Sequence, residues 1–169
     1  MRVRDLMTKE IVAVPMKERL NEAARIMWEQ DCGFVPVVDT ATGKPVGVLT
    51  DRDVCMAAYT QGIPLHDIPV TTAMAKVVQV VREDDNLETV HELMRNARVR
   101  RVPVVNQDGR LAGVLSLHDL AQHAKQGVKG LAPKDVFDTY RSICTPRARR
   151  GARTPDRRVA AQLEVLSGE

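Results

Sequence analysis

The sequence predicts a mixed α/β protein of the α+β kind: two tandem copies of one unit, each a small three-stranded sheet with two helices, packed together with pseudo-twofold symmetry. Three observations lead there. The chain repeats itself at a nearly constant offset. Within each copy, short apolar runs suited to strands alternate with stretches whose apolar residues recur at helical spacing. The 169 residues, 44% hydrophobic and 28% charged, have the balance of an ordinary packed body.

Met7 matches Met74, Leu20 matches Leu87, Met27 matches Met94, and Val35-Pro36-Val37-Val38 matches Val102-Pro103-Val104-Val105, all at an offset of 67. The offset drops to 66 where Gly47-Val48-Leu49-Thr50 meets Gly113-Val114-Leu115-Ser116 and Asp53 meets Asp119. The extra residue of the first copy falls in the turn near residues 40–45, where a structural duplication tolerates it.

In the first copy, residues 11–14 read as a strand, and Leu20, Ala23, Ala24, Met27 and Trp28 mark one apolar helical face. Residues 34–38 follow as a strand, a turn runs from Asp39 to Gly43, and residues 46–49 return as the other arm of a hairpin. The second copy repeats this with residues 77–81, a helix through Leu87, Val90 and Met94, a strand at 102–105, a turn at 106–109 and a strand at 111–115. Asp85, with Glu88 three residues on, reads as the capping pair of its first helix. The first unit is expected at residues 1–58, and residues 59–71, with Gly62, Pro64 and Pro69, read as a connecting loop. The second unit is expected at 72–126 and an extension at 127–169, in which residues 133–143 form an amphipathic helix with Val136, Phe137, Tyr140 and Ile143 to one side.

Each hairpin runs into a helix through the same constellation, Thr50-Asp51-Arg52-Asp53 and Ser116-Leu117-His118-Asp119. The pattern has two readings. A hydroxyl followed three residues later by an acid caps a helix N-terminus. The same start also suits a phosphate, with the hydroxyl as a further donor, while the carboxylate accepts from the hydroxyls of a ribose. Arg52 and His118 then stand beside phosphate charge. A base would lie against Val12, Ala13, Val35 and Pro36 in the first copy and against Val80, Val102 and Pro103 in the second.

The chain resembles the cystathionine β-synthase (CBS) domain family, and in particular compact bacterial proteins made of little more than two such domains. The likeness runs through Asp5 to Thr8, Val35 to Asp39 and Gly47 to Asp53, then through Thr72 to Met74, Val99 to Val105 and Gly113 to Asp119. It implies a Bateman module with two clefts between the copies that bind adenosine-containing ligands such as AMP, ADP, ATP or S-adenosylmethionine as regulatory signals, with no cofactor required. It also implies phosphate and ribose contacts for Thr50, Asp53, Ser116 and Asp119, and a homodimer of two modules acting on an effector protein. Both clefts are expected to be competent, the first better suited to phosphate because of Arg52; Arg101 and its neighbour Arg100 read either as facing the second or as a solvated pair of charges.

Other features argue against further chemistry. No nucleophile stands beside a base, so an enzyme is not expected. The histidines and cysteines lack metal-ligand spacing. No apolar run suits a membrane span or an export signal, so the expected location is the cytoplasm. Trp28 reads as core or dimer interface, His91 as a hydrogen-bonded packing histidine, and Cys32 and Cys55 as small buried groups. The net charge of +3 comes from the end of the chain, where residues 141–169 hold seven arginines against three acids. Arg147, Arg149, Arg150, Arg153, Arg157 and Arg158 are the residues through which a nucleic acid could be held, if it is held at all. The competing functions are therefore a nucleotide-independent dimerisation protein and a nucleic-acid-associated regulator.

Overall fold

The computed structural model describes residues 1–145; the six arginines from Arg147 to Arg158 lie outside them. The first unit comprises β1 (Val14–Pro15), α1 (Leu20–Glu29), β2 (Phe34–Val38), β3 (Pro45–Thr50) and α2 (Asp51–Gln61). A short α3 (Val70–Ala73) leads to the second unit: β4 (Val81–Arg82), α4 (Leu87–Ala97), β5 (Arg101–Val105), β6 (Leu111–Ser116) and α5 (Leu117–Gln122). The last helix is α6 (Pro133–Cys144). In each unit the first strand runs parallel to the second, joined through a helix, and the second pairs antiparallel with the third.

The duplication holds at the level of single cross-strand pairs. Val35 faces Leu49 as Val102 faces Leu115, and Val37 faces Gly47 as Val104 faces Gly113. Even the register shift beside the turn recurs, at Val37/Val38 and at Val104/Val105. The predicted two-unit α+β architecture is the one observed.

The helices follow their apolar stripes. Leu20, Ala23, Ile26 and Met27 of α1 are buried, and Leu87, Val90, His91 and Met94 do the same for α4. Solvent-facing Arg25 of α1 pairs with Glu22 and Glu29 at i,i+3 and i,i+4 spacing. The start of α4 differs from expectation: Asn86 is the cap, its side chain accepting from Thr89 N at 2.9 Å, while Asp85 accepts from Arg82 N at 2.7 Å and closes the preceding turn.

Two sequence expectations fail for one reason, which is that each unit takes its leading segment from the other. Residues 59–71 are more than a loop, since α2 continues to Gln61 and Ile68 and Val70 are fully buried in the first unit's core with Met74 against them. Val3, Leu6 and Met7 are buried in the core of the second unit. Backbone pairs tie the exchange down: Thr8 N donates to Val114 O at 2.9 Å and Val114 N to Thr8 O at 3.0 Å, while Ala75 N donates to Val48 O at 2.9 Å and Val48 N to Ala75 O at 3.2 Å. The first strands are accordingly shorter and later than the apolar runs at 11–14 and 77–81, because most of each run passes between the units before pairing begins.

The exchange explains the glycine that opens each Gly-Val-Leu stretch. A Cβ on Gly113 would stand 2.6 Å from the Thr8 carbonyl oxygen and 3.0 Å from Met7 Sδ, and one on Gly47 would run into Met74 Sδ.

Helix α6 packs on α4 and α5. Val136 and Thr139 are its buried residues, whereas Phe137 and Tyr140, expected on the docking side, face solvent. His91, 2% exposed, governs that choice. Its Nε2 lies 2.9 Å from the Gly130 carbonyl, which can only accept, so the ring proton belongs on Nε2. Nδ1 then accepts from the Thr139 hydroxyl at 2.8 Å, and that oxygen in turn accepts from Arg95 at 3.1 Å. Trp28 is not core: it is 87% exposed on α1. Cys55 also faces solvent rather than being buried, and Cys32 is half-buried.

Candidate functional site

Both hairpin-to-helix motifs form complete capping boxes. Thr50 Oγ1 accepts from Asp53 N at 3.2 Å and donates to Asp53 Oδ2 at 2.7 Å, and that same oxygen accepts from Thr50 N at 2.9 Å. Ser116 and Asp119 repeat the pattern at 3.1, 2.7 and 2.8 Å. Capping and ligand binding do not compete for the whole carboxylate, however. The cap uses Oδ2 of each aspartate and locks its rotamer; Oδ1 has no partner among the described residues and is not buried, so it remains available as an acceptor.

The donors at the start of α2 are less available than a bare helix terminus suggests. Asp51 N donates to Gly33 O at 3.3 Å, Arg52 N to Asp51 Oδ1 at 2.7 Å, and Asp53 N to Thr50. With the Thr50 hydroxyl proton also engaged, anionic charge on a ligand falls to side chains rather than to the helix end.

The clefts are built across the repeats. Thr50, Arg52 and Asp53 line a cavity of about 630 Å³ whose opposite wall is Val77, Gln79, Val99 and Pro103 of the second repeat. Ser116 and Asp119 line a narrower one of about 200 Å³ against Ile11, Val12 and Pro36 of the first. Successive side chains of a strand point to opposite faces, so Val35 and Val37, with Val102 and Val104, fill the two cores while Pro36 and Pro103 between them face the clefts. Phe34 and Arg101, which occupy matching places in the two copies, border both cavities.

The expected grouping by repeat therefore needs correcting. Val12 and Pro36 stand with Ser116 and Asp119, not with Thr50, and Pro103 stands with Thr50 and Asp53. Val35 and Val102 are core residues, and Ala13 lines neither cleft. Val80 borders a separate depression with Lys44, Pro45 and Arg82. His118 is exposed and lines a groove between α5 and α6 that adjoins the second cleft, Ser116 and Arg101 bordering both. Arg101 does border the second cleft, while Arg100 lies on the first. Reading each motif beside its own strands missed Val77, Gln79, Val99 and Arg98 in one cleft and Thr8, Glu10, Ile11 and Cys32 in the other. The signal was present, since Gln79 is the repeat mate of Val12 and Val99 that of Cys32.

Among the described residues, no cluster of three His, Cys, Asp or Glu side chains is arranged to hold a metal ion, and no helix is long and apolar enough to cross a membrane.

A duplicated α+β unit, with exchanged leading segments and a capped Thr/Ser-x-x-Asp motif facing the other copy, defines a class of paired domains. The CBS domain family model matches residues 3–59 and 66–125, and the chain belongs to that family. The CBS domain-containing protein YhcV of Bacillus subtilis is 34% identical over 119 residues, covering 70% of this chain and 82% of the relative. Among solved structures, the CBS domain pair of protein MJ0100, in complex with 5′-methylthioadenosine and S-adenosyl-L-methionine, superposes with a TM-score of 0.63 at 25% identity, over 72% of this chain and 94% of that one. CBSX2 in complex with AMP gives 0.62 at 28% identity, over 72% and 93%.

Proposed function

We propose that this chain is a regulatory module that binds an adenosine-containing ligand in the clefts between its two CBS repeats and passes the bound state to a partner, without catalysing a reaction. The observation that carries this reading is that Asp53 and Asp119, each fixed by a cap through one oxygen with the other left unpartnered, line clefts walled by the opposite repeat. A ribose diol suits that oxygen, and a base suits the apolar walls at Val77, Val99 and Pro103 or at Ile11, Val12 and Pro36. The ligands held by the MJ0100 domain pair and by CBSX2 are of this chemical class. Because each cleft joins parts of both units, a ligand favours one arrangement of the pair over another, and that difference is what a partner reads.

Calorimetric titration of nucleotide-free protein with AMP, ATP and S-adenosylmethionine tests the proposal, with GMP as a control and the Asp53→Ala, Asp119→Ala double variant as a blank. Saturable, adenosine-selective binding that the double variant loses supports it. The absence of both heat and thermal stabilisation for every ligand would overturn it.

One observation favours a second reading, association that is indifferent to nucleotide. Trp28, Met56 and Tyr59 are exposed on α1 and α2, and a homodimer covering them accounts for that apolar surface. In sedimentation, Trp28→Glu then shifts the protein to monomer whether or not ligand is present, and a wild type that is already monomeric refutes the dimer.

A further inference from the structure

We infer that the two clefts take chemically different ligands, the first a phosphorylated adenosine and the second an adenosine without phosphate; the inference rests on reading the clefts as adenosine sites. The duplication makes the cavities alike in plan, so their chemistry diverges only where repeat mates differ. At the end of α4 and the start of β5, Arg98, Arg100 and Arg101 line the first cleft. The matching positions in the first repeat are Asp31, Gly33 and Phe34, and none brings a cation to the second cleft. Arg52 lines the first cleft, whereas its mate His118 turns toward the groove beside α6. Val77 of the first cleft has Glu10 as its mate, and Glu10 lines the second.

The first cleft thus collects four arginines against Asp51 and Asp53, and the second sets Glu10 and Asp119 against the shared Arg101, with Arg100 on the groove that adjoins it. Among the described residues none of the four arginines forms an ion pair with a carboxylate. With the backbone donors at the head of α2 already engaged, these guanidiniums are the groups able to bind phosphate oxygens, and their planar forks suit bidentate contacts. A phosphate in the second cleft would instead meet the carboxylates of Glu10 and Asp119.

The test is titration calorimetry of the full chain with ATP and with adenosine, on wild type and on three variants whose folding is checked by circular dichroism. The wild type is expected to bind a single ATP per chain, weakened at least about tenfold both by the Arg98→Glu, Arg100→Glu double variant and by raising salt from about 0.05 to 0.5 M. In Asp53→Ala, adenosine binding that remains is expected to be insensitive to salt. Glu10→Lys is expected to add a second ATP per chain. ATP filling both wild-type clefts with equal affinity, or an unchanged ATP affinity in the double-arginine variant, overturns the inference while leaving the adenosine reading intact. Failure of ATP and adenosine alike to bind removes the adenosine reading itself, and this inference with it.

Discussion

The two repeats share a register down to single pairs, yet their outer helices are treated differently. On the second repeat, α6 lies across α4 and α5, and His91 and Arg95 bond to it through Thr139. At the matching places on the first repeat stand Ala24 and Trp28, the latter open to solvent. A duplicated unit leaves an apolar helix face on each copy; the second copy covers its own with a C-terminal helix, and the first presents its face outward. Divergence is thus confined to the outer helices and the cleft walls, while the strands that hold the two units together stay matched.

The largest expected effect comes from removing the latch. His91→Ala gives the second repeat the residue type found at Ala24 but leaves the Thr139 hydroxyl and the Gly130 carbonyl without their partner inside a packed interface. A loss of about 2–4 kcal/mol in urea unfolding is expected, and Ala24→Gly on the first repeat should cost about 1 kcal/mol. Equal losses at the two sites would show that α6 docking contributes nothing particular.

The exchanged segments also differ between the repeats. Gly113→Ala forces a Cβ against the Thr8 backbone carbonyl and should cost about 2–3 kcal/mol, whereas Gly47→Ala meets the flexible end of Met74 and should cost about 1–2 kcal/mol by the same assay. The reverse order would contradict the described packing. Removal of the caps should be nearly symmetric, with Thr50→Val and Ser116→Ala each losing about 1 kcal/mol.

The smallest effect is pH dependence. Burial, as the main cause, pushes the His91 pKa below the ordinary imidazole value, reinforced by Arg95 and opposed by the Gly130 hydrogen bond and by Asp135 and Glu88. The unfolded chain therefore binds a proton that the folded chain refuses once pH falls below about 6.5, and this contribution to stability declines with acidification until the folded pKa is reached. Unfolding midpoints across that window should slope more steeply for wild type than for His91→Gln, and equal slopes would count against the buried neutral imidazole.

Much of the fold was legible because a duplication announces itself through matched residues, and Met7 with Met74 or Gly47 with Gly113 needed no structure to be paired. What they touch was not legible. Aligning the copies sets like against like, whereas the pseudo-twofold axis brings unlike positions together, Met74 onto Gly47 and Pro103 toward Asp53. The motif could therefore be found while its opposite wall was assigned to the wrong repeat. Ile68 and Val70 were hidden among the turn signals Gly62, Pro64 and Pro69, which mark where a chain bends but not whether its apolar residues are buried. The docking side of α6 was misread because a polar contact, His91 to Thr139, sets its rotation, and apolar spacing carries no trace of such a contact.

A crystal structure of the protein with AMP would show whether each ligand site is shared between the repeats, as proposed. The ribose is expected at Asp53 Oδ1, with the base between that motif and the wall formed by Val77, Val99 and Pro103. A nucleotide held within one repeat, or bound away from both capped aspartates, would contradict it.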